Sequence, residues 1–164
     1  MQKATVIDTG LEFDEGRLSR RWNTDMVVVH HTGNPYDDDL SAAELNAGHQ
    51  SQGWACIGYH FVIRKDGTIE KGRPEWAVGA HAYGENSHTI GIHVCGNFEQ
   101  AVPTDAQIEA LSMLIGNICY EYDIPVDAEH IVGHRDTIAT ACPGENLYSM
   151  MDTVRGKAVF YQNN

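Results

Sequence analysis

The chain has 164 residues and a formal net charge of −12, from 11 basic and 23 acidic residues. Such an excess of negative charge argues against nucleic acid and against an anionic membrane surface as binding partners. A chain of this length, without internal repeats or low-complexity linkers, can bury about two thirds of its unfolded surface in one core, so a single domain is expected.

The first core strand is predicted at Met26–His30, where a short apolar run rich in β-branched residues occurs. Residues 1–24 before it contain no motif. We therefore divide the chain into an N-terminal extension, residues 1–24, and a domain over residues 25–164. An edge strand, a docking arm and a partner-binding segment are all compatible with the sequence of the extension.

Helix and strand signals then alternate along the first half of the domain. A helix is predicted from about Ser41 to Ser51 and a strand over Gly58–Ile63. The pair Asp66-Gly67 is a strong hairpin signal, so the next strand, Thr68–Lys71, is expected to turn back. After a long loop, another strand is predicted over Thr89–Val94.

The second half contains the longest predicted helix. Thr104 and Gln107 form a capping box at its start, and Pro125 marks its end. A short strand at His130–Val132 and a final helix near Asn146–Val154 follow. This order of elements predicts a mixed α/β fold, with a central mixed β-sheet flanked by helices.

Residues of the kind that bind zinc occur at two distant points. His30 and His31 end the first strand, and His134 and Cys142 lie eight positions apart in the run Gly133–Gly144. Zinc favours imidazole nitrogen and cysteine sulfur, and three protein ligands leave a fourth position open for water. The residue types therefore predict an open, catalytic zinc site.

Five sequence blocks resemble the type-2 N-acetylmuramoyl-L-alanine amidases, a family that includes peptidoglycan recognition proteins and T7-type phage lysozymes. Between about Asp25 and Leu147 the blocks are VVVHHTGN, IGYHFVIRKDGTIEKGR, WAVGAHAYGENSHTIGI, CGNF and GHRDTIATACPG. The resemblance implies the peptidoglycan-recognition/amidase fold. It also implies a zinc hydrolase that cleaves the amide bond between N-acetylmuramic acid and L-alanine in peptidoglycan or muropeptides.

The same resemblance implies that His30, His134 and Cys142 are the ligands of Zn²⁺. His31 is then a neighbour, which we assign to substrate contact. Successive side chains of a strand face opposite sides, so His30 and His31 do not both reach one ion without a bend. The alternation supports choosing one of the two histidines.

Further residues take roles by position in the family's motifs. Tyr59, in IGYH, is implied to hold the oxyanion, which such a donor stabilises by roughly 3 to 4 kcal/mol; the alternative is an aromatic packed under the sheet. At the position of Thr140 the T7-type lysozymes have Lys, whereas the peptidoglycan-recognition amidases have Thr, so this chain matches the latter branch. Thr140 can donate one hydrogen bond to the oxyanion or simply cap its loop. His81 and Asn86 are implied to contact substrate.

His93 is a candidate general base. It alternates with Ile90, Ile92 and Val94 along the predicted strand and so faces away from the apolar set. A cytosolic recycling branch of the family has a Glu at the corresponding place, and imidazole suits proton transfer near neutral pH. If this face lines the cleft, His93 can accept a proton; if it faces solvent, it has no catalytic role.

Two other functions stay open at this point. One is a module that binds peptidoglycan without cleaving it, against which the intact Tyr59 and Cys142 argue. The other is a regulator of a protein partner, since T7-type lysozymes also bind a polymerase; residues 1–24 are the expected contact. The sequence contains no signal peptide and no apolar run of membrane-span length, so we expect a monomer made in the cytoplasm and released or exported to the cell wall.

Overall fold

The computed structural model describes residues 1–164 and places six strands in one mixed sheet. The strands are β1 (Val6–Ile7), β2 (Met26–His31), β3 (Phe61–Ile63), β4 (Ile69–Lys71), β5 (Thr89–Val94) and β6 (Ile131–Gly133). The helices are α1 (Ala42–Ser51), α2 (Asp105–Tyr122), α3 (Glu145–Tyr148) and α4 (Met151–Asn163). Short 3-10 turns lie at Glu15–Arg17, Asn86–His88 and His134–Asp136. The predicted α/β class, with one central mixed sheet and flanking helices, is confirmed.

The strand order across the sheet is β1-β4-β3-β5-β2-β6. Strands β3 and β4 form the predicted antiparallel hairpin, and every other neighbouring pair is parallel. Gly67 has φ +89° at the hairpin turn, a conformation that few other residues tolerate. Because β5, β2 and β6 are parallel neighbours, their carboxyl ends meet at one edge of the sheet.

The alternation of β2 separates the two faces of the sheet. Val27 and Val29 belong to the main core of 21 buried residues, which α2 and α4 cover. Val28 lies on the opposite face in a small separate cluster. His30 follows Val28 with the strand period of two, so its side chain also faces away from the main core.

Local capping determines where the longest helix begins. The Thr104 side chain accepts a hydrogen bond from the Gln107 backbone N–H, and the Gln107 side chain accepts one from the Thr104 N–H. The predicted capping box is therefore present. Helix α2 ends at Tyr122, and the next residue, Asp123, caps it in a left-handed conformation with φ 55°. This end leads directly into the segment before β6.

The predicted final helix, Asn146–Val154, is wrong in its bounds. The chain forms two helices instead, α3 and the longer α4, separated at Ser149 and Met150. Helix α4 continues through Gly156 to Asn163 because its buried side chains pack in the main core beside α2. Tertiary packing thus outweighs the low helix propensity of glycine.

The predicted strand Gly58–Ile63 is shorter in the structure, where only Phe61–Ile63 pairs as a strand. The preceding residues bond to a crossing loop. The N–H of Ala80 donates to the Gly58 carbonyl, and the N–H of Arg73 donates to the Tyr59 carbonyl. A Cβ at Gly58 would lie 2.1 Å from the Ala80 oxygen, so the two segments approach closely only because this residue is glycine.

The N-terminal segment packs on the sheet. Strand β1 pairs in parallel with β4 at the sheet edge, which is the edge-strand alternative for residues 1–24. Farther along, the N–H of Arg21 donates to the Trp76 carbonyl and the N–H of Val78 donates to the Ser19 carbonyl. A partner-binding role for this segment stays a prediction. Separately, none of the helices combines the length and the apolar character that a membrane crossing requires.

Candidate active site

The candidate site lies at the carboxyl ends of the central parallel strands. His30 is near the end of β2, and β6 leads directly into His134. Cys142 comes from the loop after the 3-10 turn, and its Sγ accepts a hydrogen bond from the backbone N–H of His31 across 3.4 Å. Residues from two strand ends and one loop therefore converge.

His30, His134 and Cys142 form one compact group. Each offers a donor atom, and these three atoms lie within 4.8 Å of one another. The Cys142 Sγ is 3.6 Å from His30 Nδ1, and the imidazole centroids of His30 and His134 are 4.5 Å apart. Two nitrogens and one sulfur at this separation match the donor set of an open zinc site.

The protonation of this group also fits a metal. Burial lowers the pKa of His30 well below its usual range, with further lowering by neighbouring histidines, and burial lowers the pKa of His134. The imidazoles are therefore neutral, with a lone pair available. Burial raises the pKa of the Cys142 thiol to about 12, so a nearby cation is needed to stabilise the thiolate.

Tyr59 lies beside the three donors. Its ring centroid is 5.0 Å from that of His30. Burial, and then the proximity of Cys142, raise the pKa of Tyr59 above its usual value. The phenol therefore stays protonated, and its hydroxyl can donate a hydrogen bond to a developing negative charge.

A cleft of about 480 Å³ opens beside the three donors, and His134 and Tyr59 lie in its wall. It is lined by His49, Trp54, Tyr59, Ala80, His81, Ala82, Tyr83, Asn86, His134, Ile138, Ala139 and Thr140. None of these is an acidic or basic residue of the Asp, Glu, Lys or Arg type. Three larger cavities, of about 630, 540 and 490 Å³, contain none of the three donor residues; the first two lie beside the N-terminal segment.

Comparison with known proteins agrees with this geometry. The profile of the family described as N-acetylmuramoyl-L-alanine amidase matches residues 20–145. The chain belongs to this amidase family. The endolysin of Klebsiella phage KP32 is 34% identical over 136 residues, which cover 80% of this chain and 87% of the endolysin.

Solved structures extend the similarity of this amidase. The N-acetylmuramoyl-L-alanine amidase LysC from Clostridium intestinale has a TM-score of 0.83 at 35% identity, covering 93% of this chain and 96% of LysC. A Drosophila PGRP-LB mutant, solved in complex with tracheal cytotoxin, has a TM-score of 0.78 at 25% identity and covers 90% and 93% of the two chains. The fold of the amidase is thus shared over nearly its whole length.

Two of the predicted substrate-contacting residues of the amidase lie at the cleft and also bond within the chain. His81 is buried, and its Nδ1 is 2.9 Å from His30 Nε2. The Asn86 side-chain oxygen accepts hydrogen bonds from the backbone N–H groups of His81 and Ala82. Asn86 therefore shapes the loop that carries His81. Their contact with substrate stays a prediction.

His31 and His93 do not line the cleft. His31 Nδ1 accepts a hydrogen bond from the Phe98 N–H, and the two rings stack. His93 is fully buried, neither in the cleft nor in solvent, and its Nε2 lies 3.1 Å from Thr32 Oγ1. Burial, and then His31 and His49, lower the pKa of His93 to about 3. Both side chains are buried outside the cleft lining, and substrate contact by His31 and a general-base role for His93 stay predictions.

Thr140 lies where the sequence predicts it. Thr140 is exposed and lines the cleft, and its Oγ1 accepts a hydrogen bond from the Cys142 backbone N–H across 3.3 Å. The hydroxyl proton stays available for another acceptor. Both predicted alternatives, a loop cap and a donor to the oxyanion, are compatible with this arrangement.

Several residues of the amidase site are absent from the sequence prediction. His49 on α1 accepts a hydrogen bond from the Gly58 N–H, and its ring centroid is 4.6 Å from that of Trp54. Arg73 is buried and donates to the carbonyls of Ile57 and Val78, which holds the segment just before Tyr59. No local sequence signal identifies them, because α1 and two loops must fold together first.

The acidic run Asp37-Asp38-Asp39 is outside the cleft lining. Asp37 pairs with Lys65 at 2.8 Å, and Asp39 pairs with Arg64 at 3.1 Å. The Asp37 carboxylate also accepts a hydrogen bond from the Asn97 N–H. These contacts hold neighbouring loops together, so this part of the negative charge has a structural use.

Proposed function

We propose that this amidase is a zinc hydrolase that cleaves the amide bond between N-acetylmuramic acid and L-alanine. One observation carries the proposal: His30, His134 and Cys142 converge beside Tyr59 at an uncharged cleft. The family of the chain and the endolysin and amidase relatives support the reaction class. The complex of the PGRP-LB mutant with tracheal cytotoxin supports a muropeptide as substrate.

The zinc ligands in this proposal are His30 through Nδ1, one ring nitrogen of His134, and Cys142 Sγ. The chemistry that such an ion supplies is polarisation of a carbonyl oxygen and activation of water. The His31 backbone N–H helps to stabilise the negative charge of the Cys142 thiolate, since its hydrogen bond to sulfur is charge-assisted in that state.

Tyr59 and Thr140 act on the substrate. The protonated Tyr59 hydroxyl donates a hydrogen bond to the oxygen of the scissile amide as negative charge develops there. A donor of this kind contributes about 10²- to 10³-fold to the rate. Thr140, at the cleft edge, offers a second, uncharged donor and orients the carbonyl.

The cleft lining fits the sugar and peptide groups of a muropeptide. Trp54 and Tyr83 expose aromatic surface in the cleft, with Tyr83 86% exposed, and such rings pack against sugar and peptide groups. The net charge of −12 disfavours approach to a polyanionic wall. We therefore propose soluble muropeptides, or peptidoglycan without polyanionic polymers, as the substrate, reached after release from the cell that makes the enzyme.

The test combines metal content with product mass. Purified protein is analysed for zinc per chain and incubated with purified peptidoglycan and with soluble muropeptides. We expect one zinc and free peptides that begin with L-alanine. Zinc without any new amine would favour a peptidoglycan-binding module, and protein without zinc after supplementation would contradict the ligand set.

A further inference from the structure

A chain of hydrogen bonds leads from His30 away from the cleft into the protein. His30 Nε2 lies 2.9 Å from His81 Nδ1. His81 Nε2 lies 3.2 Å from Thr89 Oγ1. Thr89 Oγ1 lies 2.8 Å from the Glu85 carbonyl oxygen. This series of hydrogen bonds thus ends on a backbone carbonyl oxygen, which can only accept a hydrogen bond.

The carbonyl at the end sets the direction of every bond in the chain. A carbonyl oxygen only accepts, so the single hydroxyl proton of Thr89 points to Glu85. Thr89 must then accept from His81, which places the His81 proton on Nε2. His81 Nδ1 is consequently the acceptor, and His30 donates to it from Nε2. The lone pair of His30 is left on Nδ1, the nitrogen 3.6 Å from Cys142 Sγ.

Both imidazoles must be neutral for this assignment, because a doubly protonated ring has no acceptor nitrogen. Both side chains are buried, and His30 Nε2 and His81 Nδ1 face each other at 2.9 Å, where two N–H groups would leave each other without an acceptor. Neither ring has a carboxylate among its hydrogen-bond partners. The environment therefore keeps both rings in the neutral form.

We infer that His81 and Thr89 are positioning residues that hold His30 in the Nε2–H tautomer, with the Nδ1 lone pair aimed at the metal position. The inference rests on the proposed function, in which His30 is a zinc ligand. A ligating histidine that donates its other N–H to a fixed acceptor is both oriented and more basic, and loss of such a partner typically weakens metal binding 10- to 100-fold. His81 acts here through His30.

The protein backbone is shaped to receive the His81 ring. A Cβ at Gly91 would lie 2.5 Å from His81 Cγ, and a Cβ at Gly79 would lie 2.6 Å from His81 Cδ2. Asn86 holds the His81 backbone N–H. Thr89 is fully buried at the start of β5. The His81 ring therefore lies against two glycines, in a position from which it reaches both His30 and Thr89.

The direct test is the tautomer of each histidine in the metal-free wild-type protein. Two-bond ¹⁵N–¹H correlation spectra distinguish the protonated from the unprotonated ring nitrogen. We expect His81 and His30 both with a protonated Nε2 and an unprotonated Nδ1. A proton on Nδ1 of His81 would reverse the chain and overturn the inference. This readout needs neither zinc nor turnover.

Two matched substitutions test the consequence for metal binding. Thr89→Val keeps the side-chain shape but removes the acceptor for His81, whereas Thr89→Ser keeps the hydroxyl. We expect the zinc dissociation constant, measured by chelator competition, to rise about 10-fold or more in Thr89→Val and to stay near wild type in Thr89→Ser. Equal zinc affinity in Thr89→Val and wild type would overturn the inference.

A control separates this effect from a loss of stability. Ser112 donates to the Ile108 carbonyl inside α2 and is also fully buried. Ser112→Ala should therefore lower stability while zinc affinity stays at the wild-type value. If the wild-type protein binds no zinc, the proposed function fails. The tautomers of His30 and His81 are measured without zinc, so they still test the hydrogen-bond directions. The two failures are thus distinguishable.

Discussion

The backbone N–H of His31 donates a hydrogen bond to the sulfur of Cys142 across 3.4 Å, although the two residues are 111 positions apart. This contact joins the end of β2 to the loop that follows β6. The same short stretch of β2 therefore contributes the His30 ring to the donor group and a backbone donor to its sulfur. A substitution of Cys142 therefore removes the sulfur from both the His30 ring and the His31 N–H.

Replacing Cys142 should remove the metal. Cys142→Ala deletes one of three donor atoms, so we expect loss of zinc and of amide hydrolysis with the fold retained. Cys119→Ala is the matched control, since Cys119 is a free, fully buried cysteine of the main core. Zinc per chain after dialysis measures the difference. Full zinc and full turnover in Cys142→Ala would contradict the ligand assignment.

Removing the Tyr59 hydroxyl should lower the rate without removing zinc. We expect Tyr59→Phe to reduce kcat by about 10²- to 10³-fold, because only the hydrogen bond to the developing oxyanion is lost. Tyr120→Phe removes a hydroxyl from an exposed tyrosine on α2 and should turn over like wild type. Steady-state kinetics on a muropeptide compare the two; wild-type kcat in Tyr59→Phe would exclude the role.

His88 should make stability depend on pH. Burial lowers the pKa of His88, but its hydrogen bonds to the Asp25 and Glu85 carboxylates outweigh this, so the pKa is raised above 6.5. A histidine whose pKa is higher in the folded than in the unfolded state stabilises the fold fully at a pH below its unfolded-state pKa. This stabilisation is lost as the pH rises through its folded-state pKa. The excess stability of wild type over His88→Gln should therefore be larger at pH 5.5 than at pH 9, by urea unfolding.

A substitution of one of the carboxylates bonded to His88 tests the cause of that pH dependence. Asp25→Asn leaves only one of the two carboxylates on His88, so the pH dependence should shrink but keep its sign. A difference between wild type and His88→Gln that grows with pH would show that the sign is wrong.

Gly91 should be required by the ring of His81. The Cβ of Gly91→Ala would lie 2.5 to 2.7 Å from three atoms of that ring, so we expect the ring to shift, with weaker zinc binding and lower stability. Gly48→Ala is the control, because a Cβ on this residue of α1 meets nothing within 4 Å. That variant should keep wild-type zinc affinity, measured by chelator competition.

Two glycines of the helical layer should respond in opposite directions. A Cβ at Gly116 on α2 would lie 2.6 Å from Tyr161 Cβ and 2.7 Å from the Ala158 oxygen, so Gly116→Ala should destabilise by about 1–3 kcal/mol. A Cβ at Gly156 on α4 meets nothing within 4 Å, so Gly156→Ala should stabilise by about 1 kcal/mol. Thermal unfolding gives both; equal effects would contradict the close approach of α2 and α4.

Features that depend on neighbours along the chain could be predicted from the sequence. The alternation in β2, the Asp66-Gly67 hairpin and the Thr104 capping box each involve groups within a few residues of one another, and all are present. The α/β class follows from the order of such elements. The grouping of His30, His134 and Cys142 came from the motifs of the family, because their separation along the chain carries no geometric information.

Only the tertiary structure decided which side chains share a cavity. Sheet pairing and the packing of loops put His49 and Trp54 in the cleft, enclosed His93 and joined His81 to His30. The length of α4 depended on its contact with α2 in the same way. These outcomes come from close packing between segments distant in sequence, and local propensity contains no information about that packing.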